Sequence, residues 1–252
     1  MSSGRSSELF SLEALRLSCS GCSLQELCLP ATLRGEDLAK LSDMVGHERY
    51  ARRAHIYNTG DRCDSLYVVH GGSVKTWMTS LNGHVQVLGF HLPGEIFGLD
   101  GVSEHHYHCT AESLEPVEVC RLPYAELEKV ANEVPSLQKQ LMRMVSREFM
   151  LDNEHLTMMG ARPAMERLAL FLQTLSQRRA LLGLERDIVE MSMSRIDVAN
   201  YLALATETVS RLLSRLQDLE VIRLDRRWIK ILDMDRLIEI SGEDLGLIHY
   251  PD

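Results

Sequence analysis

The longest uninterrupted helical pattern in this 252-residue chain runs from Ser136 to Met159 and contains neither glycine nor proline. A helix of about 24 residues is longer than most helices of globular domains. One row of its side chains repeats with alternating steps of three and four residues, as in helices that pair along a shared seam. We therefore predict a dimerisation helix at 134–159, with an acidic residue inside its seam. The row consists of Met142, Val145, Phe149, Asp152, Leu156 and Met159.

The residues before this helix show the alternating pattern of strands. Between about Ala54 and Leu122, short alternating runs are separated by turn signals such as Leu92-Pro93-Gly94. Asn82-Gly83 stands between two of these runs and favours a two-residue hairpin. Short strands at this spacing are typical of a small antiparallel barrel or roll, which we predict for residues 31–133.

The last part of the chain, residues 160–252, has the pattern of a winged helix-turn-helix domain. Ser194 and Asp197 have the spacing of a capping box and predict the start of one helix. Thr206 is expected to cap the second helix, and two apolar runs around Asp225-Arg226-Arg227 predict a basic-tipped hairpin. The predicted class is α+β: an N-terminal antiparallel β-roll that resembles cyclic-nucleotide-binding domains, a long dimerisation helix and a C-terminal winged helix-turn-helix.

The outer face of the second predicted helix carries groups that can contact DNA bases. Glu207 can accept a hydrogen bond from cytosine, and Arg211 can donate two to guanine. Ser210 lies between them and can donate to either base. The same Glu–Arg spacing is also an ordinary helix-stabilising pair. Together with the caps and the hairpin, the three residues predict a DNA-reading helix.

Three of the six cysteines lie close together in a predicted N-terminal loop, residues 1–30. Their C-x2-C-x5-C spacing suits three thiolates around one metal centre, while zinc and iron–sulfur sites both need a fourth donor. The spacing leaves both the metal and the fourth donor open. The three clustered residues are Cys19, Cys22 and Cys28. The candidates for the fourth are Cys63, Cys109 and Cys120.

The composition narrows the function classes. The net charge of -9 argues against a chain that coats nucleic acid along its whole surface, although residues 194–230 hold seven basic and five acidic residues. The chain has no apolar run of the roughly 18 residues that a membrane span needs, and its first residues lack a secretory signal, so we expect a cytoplasmic protein with no membrane partner. It contains no pattern of a catalytic triad, phosphate loop or dinucleotide site, so no enzyme is expected.

The chain resembles oxygen-responsive transcription regulators of the fumarate and nitrate reduction (FNR) type, within the cyclic-AMP receptor (CRP) superfamily. The resemblance covers nearly the whole chain. It rests on the cysteines at positions 19, 22, 28 and 120, on Gly-Phe-His-Leu-Pro-Gly at 89–94, on Leu141-Met-Arg-Met, and on the stretch from Asn200 to Leu213.

The resemblance implies a 4Fe-4S cluster as cofactor, with Cys120 as the fourth ligand beside Cys19, Cys22 and Cys28. It implies a homodimer that forms while the cluster is intact and binds double-stranded DNA at an inverted repeat close to TTGAT-N4-ATCAA. Glu207, Ser210 and Arg211 match the base-reading positions. A global regulator of this kind senses oxygen, controls anaerobic genes as activator or repressor, and contacts RNA polymerase.

Some positions depart from related patterns. The branch that binds cyclic AMP has an Arg where this chain has Thr206, and an Arg-Ser pair where it has His108-Cys109-Thr110-Ala111. These departures argue against a cyclic nucleotide as ligand. The sequence leaves two alternatives to an oxygen-responsive regulator. One is a regulator of this superfamily with another effector, such as a cyclic nucleotide or nitric oxide, and the other is an iron–sulfur redox protein.

Overall fold

A computed structural model of the chain describes residues 19–160 and 162–243. The chain divides into two compact units, residues 1–74 with 91–148 and residues 75–90 with 149–252. Part of the predicted loop at 1–30 therefore falls outside the described residues. None of the described helices combines the length and the apolar character that a bilayer crossing needs.

In the described chain a short helix is followed by eight strands, and helices predominate after them, as the hydrophobic periods predict. The first part holds α1 (Gly35–Met44), β1 (Gly46–Tyr50), β2 (His55–Tyr57), β3 (Ser65–Gly71), β4 (Val74–Thr79), β5 (Val85–His91), β6 (Ile96–Phe97), β7 (Thr110–Ser113) and β8 (Val117–Pro123). The second part holds α2 (Tyr124–Glu133), α3 (Pro135–Met159), α4 (Ala164–Leu181), β9 (Ile188–Glu190), α5 (Arg195–Tyr201), α6 (Thr206–Asp218), β10 (Ile222–Asp225), β11 (Trp228–Ile231) and α7 (Met234–Ser241). Short 3-10 turns lie at Cys19–Gly21, Leu29–Thr32 and Leu99–Gly101.

The first unit is built around strand β8, which pairs antiparallel with β1 on one side and β3 on the other. Strand β6 extends this sheet beyond β3, and β2 pairs with β7. Leu41 of α1, Leu122 of β8 and Leu137 of α3 are at most 1% exposed and belong to one apolar cluster. The predicted antiparallel roll and long helix are confirmed.

The hairpin of β4 and β5 belongs to the second unit, where α5 holds it by polar contacts. The Asn200 side chain accepts a hydrogen bond from the Val87 amide and donates one to the Val85 carbonyl, both at 2.6 Å. The Lys75 ammonium lies 2.8 Å from the Asp197 carboxylate, and both side chains are 15% exposed. Such shielded pairs are disrupted at greater cost than surface ion pairs, so the hairpin is fixed to the first helix of the helix-turn-helix.

The helix-turn-helix forms as predicted, with one correction at a cap. Ser194 and Asp197 make the reciprocal hydrogen bonds of a capping box at the start of α5. The expectation that Thr206 caps α6 is wrong. The last extended residue is Ala205, and Thr206 already lies inside the helix, so no side-chain oxygen caps α6. Strands β10, β11 and β9 then form the antiparallel wing.

We expect Gly72→Ala to lower the free energy of unfolding by about 1–3 kcal/mol more than Gly60→Ala does, because added atoms in a packed site cost about that much. Both glycines have positive φ, +82° and +87°, so both substitutions carry the same backbone penalty. A Cβ on Gly72 would lie 2.7 Å from the Pro116 carbonyl oxygen, whereas one on Gly60 meets nothing within 4 Å. Denaturant unfolding measures the difference, and equal losses in the two variants would contradict the packing argument.

The His155 side chain predicts a pH dependence of stability in the second unit. Its Nε2 lies 2.8 Å from the Tyr201 carbonyl oxygen, and its ring stacks on the Tyr201 ring at 3.8 Å. Burial lowers the pKa of His155 below its usual 6.5. The neutral form is therefore favoured on folding, and this contribution is complete above the unfolded-state pKa and lost as the pH falls through the folded-state value.

The variant His155→Gln keeps an amide donor for Tyr201 but does not titrate. Between about pH 7.5 and about pH 5.5, around the ordinary histidine pKa, we expect the wild type to lose more unfolding free energy than this variant. Denaturant titrations at a series of pH values measure both slopes. Parallel slopes would show that His155 is not responsible.

Candidate metal centre and nucleic-acid interface

The cysteine loop is anchored to the first unit at Cys28 and directly after it. Leu29 and Leu33 are 1% exposed and belong to the apolar cluster of that unit. The side-chain amide of Gln140, on α3, donates to the Cys28 carbonyl at 3.1 Å. The Cys28 amide also bonds to the Leu24 carbonyl, at 3.1 Å. The third cysteine of the motif is thus tied both to the core and to the long helix.

Of the three candidates for the fourth ligand, Cys120, in the middle of β8, lies near this loop. It stands opposite His47 of β1 and Val68 of β3 in the sheet register. After burial, the thiols of all three loop cysteines also raise the pKa of the Cys120 thiol, so the four sulfurs lie near one another. They are half-buried.

Cys63 and Cys109 are buried and contact residues outside the cysteine loop. The Cys63 sulfur is 3.8 Å from the Gly98 carbonyl oxygen, and the Cys109 sulfur is 3.8 Å from the Tyr57 hydroxyl. Among the three candidates left open by the spacing, the fold brings Cys120 to the loop. The sequence pattern could not make this choice, because strand pairing decides it.

The surroundings of the four thiols disfavour their charged form at most positions. Burial raises the pKa of the Cys28 thiol to about 12 and raises the pKa of Cys19 and of Cys120 as well. A hydrogen bond with His70 instead lowers the pKa of Cys22. Metal ligation requires thiolates, so a bound cation would supply the positive charge that four shielded thiolates need. The donor set fits a thiolate-bound metal centre.

Two histidines and one glutamate lie beside these sulfurs, although their scattered sequence positions predicted no site. The Nδ1 atom of His47 is 3.8 Å from the Cys120 sulfur and 3.7 Å from the Glu118 carboxylate. His70 lies 3.9 Å from the same carboxylate. The hydrogen bond with Cys22 raises the pKa of His70. The sequence offered one weak indication of this arrangement: Glu118 and Cys120 are two residues apart and therefore share a face of β8.

The predicted seam of α3 is the outward-facing row of that helix. Met142, Phe149 and Leu156 are 61%, 65% and 70% exposed. Val145 and Met159 are partly buried, and Asp152 is exposed. Desolvation by neighbouring residues nevertheless raises the pKa of the Asp152 carboxyl group. The second row of the helix contains Met144 and Met158, both 2% exposed. The long helix therefore has one buried row and one apolar row open to a partner.

The second helix of the helix-turn-helix presents the predicted base-reading residues to solvent. Val209, Leu213 and Leu216 are at most 1% exposed. The opposite face carries exposed Glu207, Ser210 and Arg211. The Arg211 guanidinium donates to the Thr208 hydroxyl at 3.2 Å, a weak surface contact that it can exchange for a base. This face has the geometry of a recognition helix.

Comparison with known proteins agrees with this architecture. The family described as Cyclic nucleotide-binding domain matches residues 47–133, and the Crp-like helix-turn-helix domain matches residues 166–240. The Transcriptional activator protein Anr of Pseudomonas protegens is 38% identical, with 89% of this chain and 92% of that protein covered. The Anaerobic regulatory protein of Haemophilus influenzae is 34% identical, with 89% and 88% covered.

Among solved structures, FixK2 from Bradyrhizobium japonicum has a TM-score of 0.72 and 28% identity, with 80% of this chain and 98% of that chain covered. The relatives are regulators and not enzymes, as the sequence predicted. The long matches at more than 30% identity show that this chain belongs to the CRP/FNR family of transcription regulators, in its FNR-type branch.

Proposed function

We propose that this chain is a cytoplasmic, oxygen-responsive regulator of anaerobic genes, with a 4Fe-4S cluster bound by Cys19, Cys22, Cys28 and Cys120. The observation that carries the proposal is the proximity of the loop thiols to Cys120 of β8, with Cys19, Cys28 and Cys120 packed against one apolar cluster. The names of several relatives support the regulation of anaerobic genes, including the Fumarate and nitrate reduction regulatory protein of Vibrio cholerae, which is 33% identical.

Membership in the FNR-type branch, rather than the spacing of the thiols, is our reason for proposing a cluster instead of a single zinc ion. Four thiolates can hold either group. When bound, the cluster supplies a group that dioxygen can destroy.

The anchoring of Cys28 connects the thiols to the dimerisation helix. With the four thiolates held together, the loop is fixed to β8 at Cys120 and to α3 through the bond from Gln140 to the Cys28 carbonyl. Release of the thiolates frees the loop from β8, so α3 loses part of its support. We infer that this support favours pairing of two chains along the α3 seam.

The balance of that pairing is set by the seam residues. Met142, Phe149 and Leu156 would bury apolar surface against a second copy, which favours the dimer. Asp152 would lie near its symmetry mate, and two carboxylates brought together out of water oppose association. A dimer with these opposing terms forms reversibly, so a modest change at α3 can shift it.

The roll interior gives a physical argument against a cyclic nucleotide as effector. The Tyr57 and Tyr107 rings stack at 3.7 Å, and Phe97 packs against Tyr57. The Asp100 carboxylate accepts hydrogen bonds from the amides of His108 and Cys109, at 2.8 and 3.0 Å. A carboxylate at this position would repel a phosphate, and aromatic rings fill the surrounding space.

On DNA, we propose that the dimer reads an inverted repeat close to TTGAT-N4-ATCAA through Glu207, Ser210 and Arg211 of each α6. One chain contacts one half-site only, so loss of the dimer lowers DNA affinity. The turn of the β4–β5 hairpin, where Leu81 is fully exposed, is our candidate contact for RNA polymerase.

We expect Cys120→Ser to abolish cluster binding and Cys109→Ser to leave it intact. Both thiols are shielded and belong to the first unit, so Cys109→Ser controls for the loss of a packed thiol. Chains purified under nitrogen are compared by visible absorption and by iron and sulfide content. Cluster retention by Cys120→Ser, or a colourless wild type that holds one zinc, would overturn the cluster assignment.

A gel-shift assay with the wild type under nitrogen and after air exposure should show loss of binding to the inverted repeat in air.

We expect Arg211→Ala to weaken binding to the inverted repeat at least about tenfold, because one bidentate Arg–guanine contact contributes about 1–3 kcal/mol. Arg236→Ala removes an exposed arginine from α7 and is the matched control. Replacing the guanine of each half-site should weaken the wild type but cause little further loss in Arg211→Ala. If the loss of affinity from Arg211→Ala and the loss from the guanine replacement simply add in the combined experiment, Arg211 does not read that base.

A further inference from the structure

His91, Glu95 and Glu148 form a second group of metal-ligating side chains in the first unit. His91 ends β5, Glu95 precedes β6, and Glu148 lies on α3. One ligand atom of each residue lies within 4.8 Å of those of the other two. The His91 and Glu148 side chains are 13% and 12% exposed, and Glu95 is 8% exposed. The group is therefore shielded, unlike an ordinary surface cluster of carboxylates.

Local structure orients these side chains. The Leu92 amide donates to one carboxylate oxygen of Glu95 at 2.7 Å, and the Val69 amide bonds to the Glu95 carbonyl at 3.0 Å. The His91 ring packs against the Phe97 ring at 5.4 Å. A turn, a strand end and a helix thus present the three ligands from different directions, as a coordination site requires.

The separation of the ligand atoms suits an ion between them. The Nδ1 atom of His91 lies 3.7 Å from Oε2 of Glu148, which is longer than a hydrogen bond. Two ligands that each lie about 2.0–2.2 Å from one ion are separated by this distance at a bond angle of about 120°.

We propose that His91, Glu95 and Glu148 bind one divalent first-row transition-metal ion, of the manganese, iron(II) or zinc class. One imidazole and two carboxylates form a nitrogen–oxygen donor set, which these ions accept and which differs from the thiolate set of the four cysteines. The ion would link α3 to the end of β5. It would also lie close to the cysteine loop, since a Cβ on Gly94 would be 3.4 Å from the Leu27 Cβ.

The test uses Mn²⁺ as probe, because manganese prefers oxygen ligands and thiolates compete poorly for it. Full-length protein purified under nitrogen is titrated with Mn²⁺, and the free ion is measured by electron paramagnetic resonance. We expect one ion to bind per chain and to raise the melting temperature. Saturable binding should be lost in His91→Gln and in Glu148→Gln. Glu154→Gln, a partly buried carboxylate further along the same helix, should bind as the wild type does.

The result that overturns the proposal is an absence of stoichiometric Mn²⁺ binding by the wild type, or equal binding by wild type, His91→Gln and Glu148→Gln. Glu95→Gln supplies a third variant if either of these fails to fold, as judged by circular dichroism without metal. The cluster is followed separately by its visible absorption. Cys120→Ser should keep the Mn²⁺ site, so failure of the cluster assignment and failure of this proposal give different results.

Discussion

Four shielded sulfur atoms impose the main physical requirement on this molecule. A thiolate is disfavoured where water is excluded, and the raised pKa of Cys28 and of Cys120 reflects that cost. Neutral thiols can be buried here without a ligand, whereas thiolates can be buried only beside a compensating positive charge. A metal centre held by these sulfurs would therefore couple the conformation of the cysteine loop to the state of that centre. In the proposed function, this coupling makes the loop responsive to oxygen.

In the proposed function, the long helix α3 converts a local change into a change of assembly, because its two sides have different surroundings. Its inner row contributes Leu137 and Met144 to the apolar cluster that also includes Leu29, next to Cys28. Its outer row leaves Met142 and Phe149 open. A loop that packs against the inner row can thus influence the outer row through the helix backbone. The shielded group of His91, Glu95 and Glu148, of which Glu148 lies on this helix, would be a second input of the same kind.

Periodic patterns predicted most of the fold, because each depends on residues close together in the chain. The hairpin around Asn82-Gly83, the helix from Ser136 to Met159 and the capping box at Ser194 were all predicted in this way. The two-residue loop expected for the hairpin was wrong: residues 80–84 connect β4 to β5, and the Gly83 amide bonds to the Ser80 carbonyl. The cap at Thr206 was also wrong, since the backbone turned one residue earlier, at Ala205. A cap depends on where the chain leaves the extended conformation, and several neighbouring polar residues can satisfy the same pattern.

The amino-acid sequence by itself determined the α+β class, the order of strands and helices, and the residue types available for a thiolate site and a DNA-reading helix. Only the tertiary structure decided which distant residues meet. Strand pairing brought Cys120, rather than Cys63 or Cys109, to the loop, and placed His47 opposite it. The reason is physical: local periodicity sets which face a side chain occupies, whereas the register between strands far apart in the chain is chosen by the packing of the whole core.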